Sequence, residues 1–149
     1  MNFKPIGIVK SISMEPVDEN WGHIVSEIHL AEALAQGLGG LEQFSHLIIV
    51  FYMHQATFNL STDLVRRPRG RADMPELGIF AQRAKHRPNP IGITAVELLE
   101  TSGNVVKVKG LDAIDGTPVL DIKPYVPIFD RIDKAIVPEW MERLMEGYF

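Results

Sequence analysis

Seven stretches of this chain read as β-strands, and none is separated from the next by the long amphipathic helix that a parallel crossover requires. They are 3–13, 22–30, 44–54, 79–83, 91–100, 105–111 and 119–123. In 22–30, Ile24, Ser26, Ile28 and Leu30 alternate with His23, Val25, Glu27 and His29. In 105–111, Lys107 and Lys109 stand out between Val106, Val108 and Gly110. The 44–54 stretch has a continuous apolar centre, which predicts burial on both faces. Ser102-Gly103-Asn104 signals a hairpin turn, and residues 112–117 form a second, Asp- and Gly-rich turn. Helix is expected only over 31–36 and 138–147. The pattern predicts a mainly β protein, a closed or nearly closed β-barrel with about seven strands and short peripheral helices, because closure removes exposed strand edges.

Length and composition narrow the function classes. The 149 residues suit one domain, 1–149, with a real core, and no internal repeat divides them. There are no cysteines, which excludes disulfides and thiolate metal sites and fits a cytoplasmic protein. The longest apolar run, 47–53, is far too short to cross a bilayer, so no membrane is expected. The five histidines lack metal-ligand spacing, so no metal is expected. Gly37-Leu38-Gly39-Gly40 follows a helical segment rather than a strand, so it is a poor nucleotide fingerprint.

Chemistry concentrates in residues 78–92. Arg83, Lys85, His86 and Arg87 fall within five positions, and Pro88 and Pro90 flank Asn89. Each proline fixes φ and biases its predecessor toward extended geometry, which gives a stiff polar loop with cationic donors. Upstream lie Arg66, Arg67, Arg69 and Arg71. Residues 66–87 hold seven Lys or Arg against Asp73 and Glu76, a net +5, whereas the whole chain carries −4 and the remainder therefore −9. Such a window fits a phosphate-binding surface, and it equally fits a solvated, solubilising loop. Residues 55–77, which carry these arginines, are expected to form a long connection without secondary structure.

Two further places draw attention. His54 ends the central strand, where a ring nitrogen can orient a ligand or act as a general base, or simply be hydrogen-bonded. His46, eight residues earlier, reads as structural. In the 112–117 turn, Asp112 and Asp115 can accept hydroxyls or face a cation, although an Asp-Gly turn also explains them. Trp140, Met141, Leu144 and Met145 form an apolar stripe suited to core or dimer packing.

Taken together, Phe44-Ser45-His46-Leu47 with Met53-His54, Gly78-Ile79-Phe80-Ala81-Gln82-Arg83, Arg87-Pro88-Asn89-Pro90-Ile91-Gly92 and the run from Asp115 to Tyr125 closely resemble the TsaA/TrmO (YaeB-like) family. The resemblance covers nearly the whole chain. It implies a β-barrel that binds S-adenosylmethionine, works as a homodimer and methylates an exocyclic amine of threonylcarbamoyladenosine beside the tRNA anticodon. Carried over by position, it implies cofactor contacts from Met53, His54, Arg83, Ile93 and the run Asp112, Ala113, Ile114 and Asp115, with Arg87, Pro88 and Asn89 shaping the pocket. His54 or Asp115 would take the proton lost by the amine. Arg66, Arg67, Arg69, Arg71 and Lys85 would meet tRNA phosphates. This chain departs from the family at Ala84 and Lys85-His86, where Thr or Ser and then Pro, Thr or Ser are usual. Bacterial members also carry a further C-terminal domain. The alternatives are a non-catalytic S-adenosylmethionine- or RNA-binding barrel and a methyltransferase acting on another substrate.

Overall fold

In the computed structural model, which describes residues 1–149, six strands close into a barrel. They are β1 (Gly7–Lys10), β2 (Val25–Leu30), β3 (His46–Tyr52), β6 (Ile91–Ser102), β7 (Val105–Lys109) and β8 (Pro118–Pro124). Around the barrel they run β1-β2-β7-β6-β3-β8, with β8 returning to β1. A separate two-stranded ribbon joins β4 (Val65–Arg66) to β5 (Leu77–Gly78). The helices are α1 (Leu60–Asp63), α2 (Pro127–Asp130) and α3 (Glu139–Met145). The expected closed barrel is present, with six strands in the wall rather than about seven.

Period-two patterning places the core. Val9, Ile28, Leu30, Leu47, Ile49, Phe51, Val96, Val106, Val108 and Val119 point inward and are buried. Burying each is worth about 1.5–3 kcal/mol relative to exposure. The hairpin at Gly103–Asn104 and the out-facing lysines of β7 stand where the sequence puts them.

Several expectations are corrected. The first strand is only Gly7–Lys10, since Pro5 lacks an N–H and the Ser11 N–H is taken by the Asp115 carboxylate at 3.0 Å. β3 is not buried on both faces: Ile48 and Val50 are half-buried and Tyr52 is exposed. Helices of four to seven residues cannot cover an outer sheet face as crossover helices do. In β6, Ile93, Ala95 and Leu99 share one face, which points outward, while Thr94 and Val96 point in. His46 is exposed at the start of β3, its ring nitrogen 2.8 Å from Ser45 Oγ, rather than deep in a wall.

Residues 55–77 are also more ordered than the sequence suggests. The Asn59 side chain caps α1 by accepting from the Ser61 N–H at 2.9 Å, and the ribbon follows. Ile79–Ala81 is a 3-10 turn, not a strand, with Ile79 buried. Buried Gln82 closes it, donating from Nε2 to the carbonyls of Arg66 at 2.9 Å and Leu77 at 3.0 Å.

Because every neighbouring pair in the barrel is antiparallel, the connections 11–24, 53–90 and 110–117 all leave from one end. The sequence-predicted site residues belong to that end.

Candidate active site

The first part of the site is built where β3 ends and β6 begins. Tyr52 pairs with Ile91, Phe51 with Gly92 and Val50 with Ile93. A Cβ on Gly92 would overlap the Phe51 ring, so the glycine of Pro-Ile-Gly is a packing requirement. Beyond the strands, Met53 N–H donates to the Pro90 carbonyl at 2.8 Å, and His86 Nδ1 lies 2.8 Å from the Thr57 carbonyl oxygen. These contacts pin the turn that carries His54. His54 is half-buried, and its Nδ1 is buried without a hydrogen-bond partner.

The cationic loop 83–87 wraps the same strand ends. Arg83 is exposed and donates from Nη2 to the Ile93 carbonyl at 2.9 Å, leaving its other N–H groups outward. Arg87 turns back on its own loop and donates to the Gln82 carbonyl at 3.0 Å and the Ala84 carbonyl at 3.4 Å. The Asn89 carbonyl accepts from Ile91 N–H at 2.8 Å. With Pro88 it holds the sharp entry into β6. Lys85 is half-buried and forms no ion pair. All the partners of Arg83 and Arg87 are neutral carbonyls, so their charge is uncompensated.

Loop 110–117 crosses the barrel end. Leu111, Ala113 and Ile114 are buried in its mouth. Asp112 therefore emerges beside β6, where the Thr94 hydroxyl donates to its Oδ1 and the Tyr148 hydroxyl to its Oδ2 at 2.5 Å. Burial, with the Asp112 carboxylate adding to it, pushes the Tyr148 phenol well above the usual tyrosine range, so it stays protonated. Asp115 emerges on the other side, held by Ser11 N–H on Oδ1 while its own N–H donates to the Ser13 carbonyl at 2.8 Å. It lines a shallow cleft with Lys10, Ser11, Ile12, Val25, Glu27 and Lys107. Met53, His54, Arg83 and Ile93 do not line that cleft, so the two predicted proton acceptors face different surroundings.

Three of the four arginines of 66–71 have an acid beside them within the fold. Arg66 lies 3.9 Å from Asp63, and Arg69 lies 3.6 Å from Asp18 with its guanidinium 5.8 Å from the Tyr148 ring centre. Arg67 donates to the Met74 carbonyl. Arg71 grips Asp73 through two hydrogen bonds of 2.9 and 2.7 Å. The Arg71 guanidinium holds the Asp73 carboxyl below the ordinary aspartate range.

Sequence reasoning missed Thr94 and Tyr148. Thr94 carried a signal, a hydroxyl at an inward position of an apolar register. Tyr148, at the far end of the chain, carried none.

Comparison with known proteins gives a consistent picture. The family model for the tRNA-methyltransferase O N-terminal domain matches residues 13–131. A probable S-adenosyl-L-methionine-binding protein of Pyrococcus abyssi is 38% identical over 146 residues, covering 95% of this chain and 76% of that one. The tRNA (adenine(37)-N6)-methyltransferase of Escherichia coli is 40% identical over 146 residues, covering 89% of this chain and 61% of that one. The crystal structure of TrmO from Pseudomonas aeruginosa matches with a TM-score of 0.74 at 35% identity, over 91% of this chain and 60% of that one. The chain thus spans about three fifths of the length of those two bacterial proteins.

Proposed function

The chain belongs to the tRNA-methyltransferase O N-terminal domain family, and from that premise we propose that it is an S-adenosylmethionine-dependent methyltransferase. Its substrate in this reading is the exocyclic amine of threonylcarbamoyladenosine next to the tRNA anticodon, and it acts in the cytoplasm as one domain. The observation that carries the proposal is the joining of uncompensated Arg83 to Ile93 at the strand ends that also present His54 with an unpartnered buried Nδ1.

Those residues fit the cofactor. Ile93 and Tyr52, 50% and 40% exposed, offer apolar surface for an adenine ring. Arg83 offers free N–H groups for the carboxylate of the methionine portion. Asp112 has acceptor capacity beyond the two hydrogen bonds it receives. When bound, S-adenosylmethionine supplies an electrophilic methyl group on a sulfonium. Met53, Arg83, Ile93 and Asp112 would hold and orient it. Alignment of nitrogen and methyl contributes roughly 7–11 kcal/mol of barrier reduction. The amine nitrogen would gain the methyl group as the methyl–sulfur bond breaks, leaving the neutral thioether S-adenosylhomocysteine, and would lose a proton. His54 accepts that proton in this reading, and Asp115 is the alternative acceptor from its separate cleft.

With Arg83 on the cofactor, Lys85 and Arg87 are the cations of this loop left to meet tRNA phosphates. An unpaired anticodon-loop base is reachable without opening a duplex. A homodimer is part of the same proposal. Ile128, Phe129, Ile132 and Ile136 are 86%, 83%, 78% and 96% exposed along one short segment, a concentration of apolar surface typical of an interface.

The test is transfer of a labelled methyl group to tRNA carrying threonylcarbamoyladenosine, read by mass spectrometry of the digested nucleosides. Methylation of that nucleoside is expected. His54→Gln should lower turnover roughly 10²–10⁴-fold while largely sparing cofactor affinity. If the cofactor binds and no tRNA is methylated, the non-catalytic barrel replaces this reading. If another nucleoside is methylated, the substrate assignment alone fails.

A further inference from the structure

The last residues of the chain lie outside the family match, which ends at residue 131, yet they enter the site. α3 delivers Gly147–Phe149 to the 20–22 segment. Asn20 N–H donates to the Gly147 carbonyl at 2.9 Å, and Trp21 N–H to the Tyr148 carbonyl at 2.9 Å. Gly22 leaves room for the Phe149 backbone, which would stand 2.7 Å from a Cβ there. The Phe149 ring meets Tyr148 edge-on at 4.8 Å. Tyr148 is thereby placed between Arg69 and Asp112, with its hydroxyl on Asp112 Oδ2. Asp112 is held on its other oxygen by Thr94, the neighbour of Ile93.

We infer that Tyr148 is a positioning residue of the cofactor site, fixing the orientation of the Asp112 carboxylate toward bound S-adenosylmethionine. This inference rests on the cofactor reading above. With Thr94 and Tyr148 on opposite oxygens, the carboxylate plane cannot rotate, and its remaining lone pairs keep a fixed direction. A purely structural tail would need the Tyr148 ring and the two backbone bonds. It would not need a hydroxyl aimed at an acidic residue of the cofactor loop.

The test is calorimetric titration of S-adenosylmethionine into the full chain, as wild type, Tyr148→Phe, Asp112→Asn and the double variant, with the thermal midpoint of each read alongside. Tyr148→Phe keeps the ring, the strap and the Phe149 contact. A hydrogen bond to a charged group is worth about 10–100-fold, and the cofactor feels part of it, so Kd should rise roughly tenfold. The other charged groups near the pair, Asp18 and Arg69, are untouched by the substitution. In the Asp112→Asn background the tyrosine change should add little. An unchanged Kd in Tyr148→Phe overturns the inference whatever happens to the thermal midpoint. So do effects that simply add in the double variant. A wild-type chain that binds no cofactor overturns the cofactor reading and this inference together, whereas wild-type binding with an indifferent Tyr148→Phe overturns this inference alone.

Discussion

Residues 66–71 and 83–87 look alike as text, yet the fold sets acids beside three arginines of the first and beside none of the cations of the second. Arg66, Arg69 and Arg71 stand beside Asp63, Asp18 and Asp73, so that charge is largely answered from within. Arg83 and Arg87 are held only by carbonyls, and Lys85 by no acid at all. A guanidinium fixed by neutral acceptors is positioned without being neutralised. It therefore keeps its full attraction for a carboxylate or phosphate. Counting charge along a window gives a potential footprint; pairing decides which part of it is available to a ligand.

That contrast can be sharpened at the uncompensated segment first. Lys85→Glu should weaken tRNA binding about tenfold at low salt and flatten the dependence of affinity on salt. Filter binding at several ionic strengths reads both effects, and an unaltered slope would remove Lys85 from the phosphate contacts.

The contrast can also be broken deliberately. If acids silence Arg66, Arg69 and Arg71, then Asp18→Asn, Asp63→Asn and Asp73→Asn together should unmask them. Non-specific RNA affinity should rise, and the salt slope should steepen by about 0.7 for each arginine that reaches a phosphate. No gain in affinity would mean that geometry rather than pairing keeps those arginines from RNA.

The smallest expected effect concerns folding. Asp73 has a depressed pKa in the folded chain, so its contribution to stability is present above the ordinary aspartate range and fades as pH falls through the folded value. Asp73→Asn should leave neutral stability almost unchanged, as exposed pairs contribute little. It should make the acid limb of unfolding below about pH 4 shallower. Circular dichroism across an acid titration checks this, and a steeper limb would contradict the assignment.

What the sequence could reveal follows from the range of each interaction. Ser26, Ile28 and Leu30 turn inward and Lys107 turns outward because a period of two is a local property of a strand. The glycine of Pro-Ile-Gly was legible as a motif, but its partner Phe51 is supplied by another strand. Asp112 and Asp115, three residues apart, read as one carboxylate pair. They separate because Ala113 and Ile114 sink into the barrel mouth and send the two acids to opposite sides. The pairing of Arg69 with Asp18 and of Tyr148 with Asp112 joins residues far apart in the chain, which no window contains. Ile79–Arg83 resembled a strand because Ile79 and Phe80 are apolar. The ribbon instead uses Gln82 as its plug, which turns that segment into a 3-10 helix.

The most direct test of the account is calorimetric titration of S-adenosylmethionine into the wild type, Arg83→Met and Arg71→Met in parallel. Loss of a charge-assisted contact at Arg83 should weaken binding roughly 10–100-fold, while Arg71→Met should remain within about twofold of wild type. The reverse pattern, with Arg71 needed and Arg83 dispensable, would contradict the account and move the cofactor to the segment described here as neutralised.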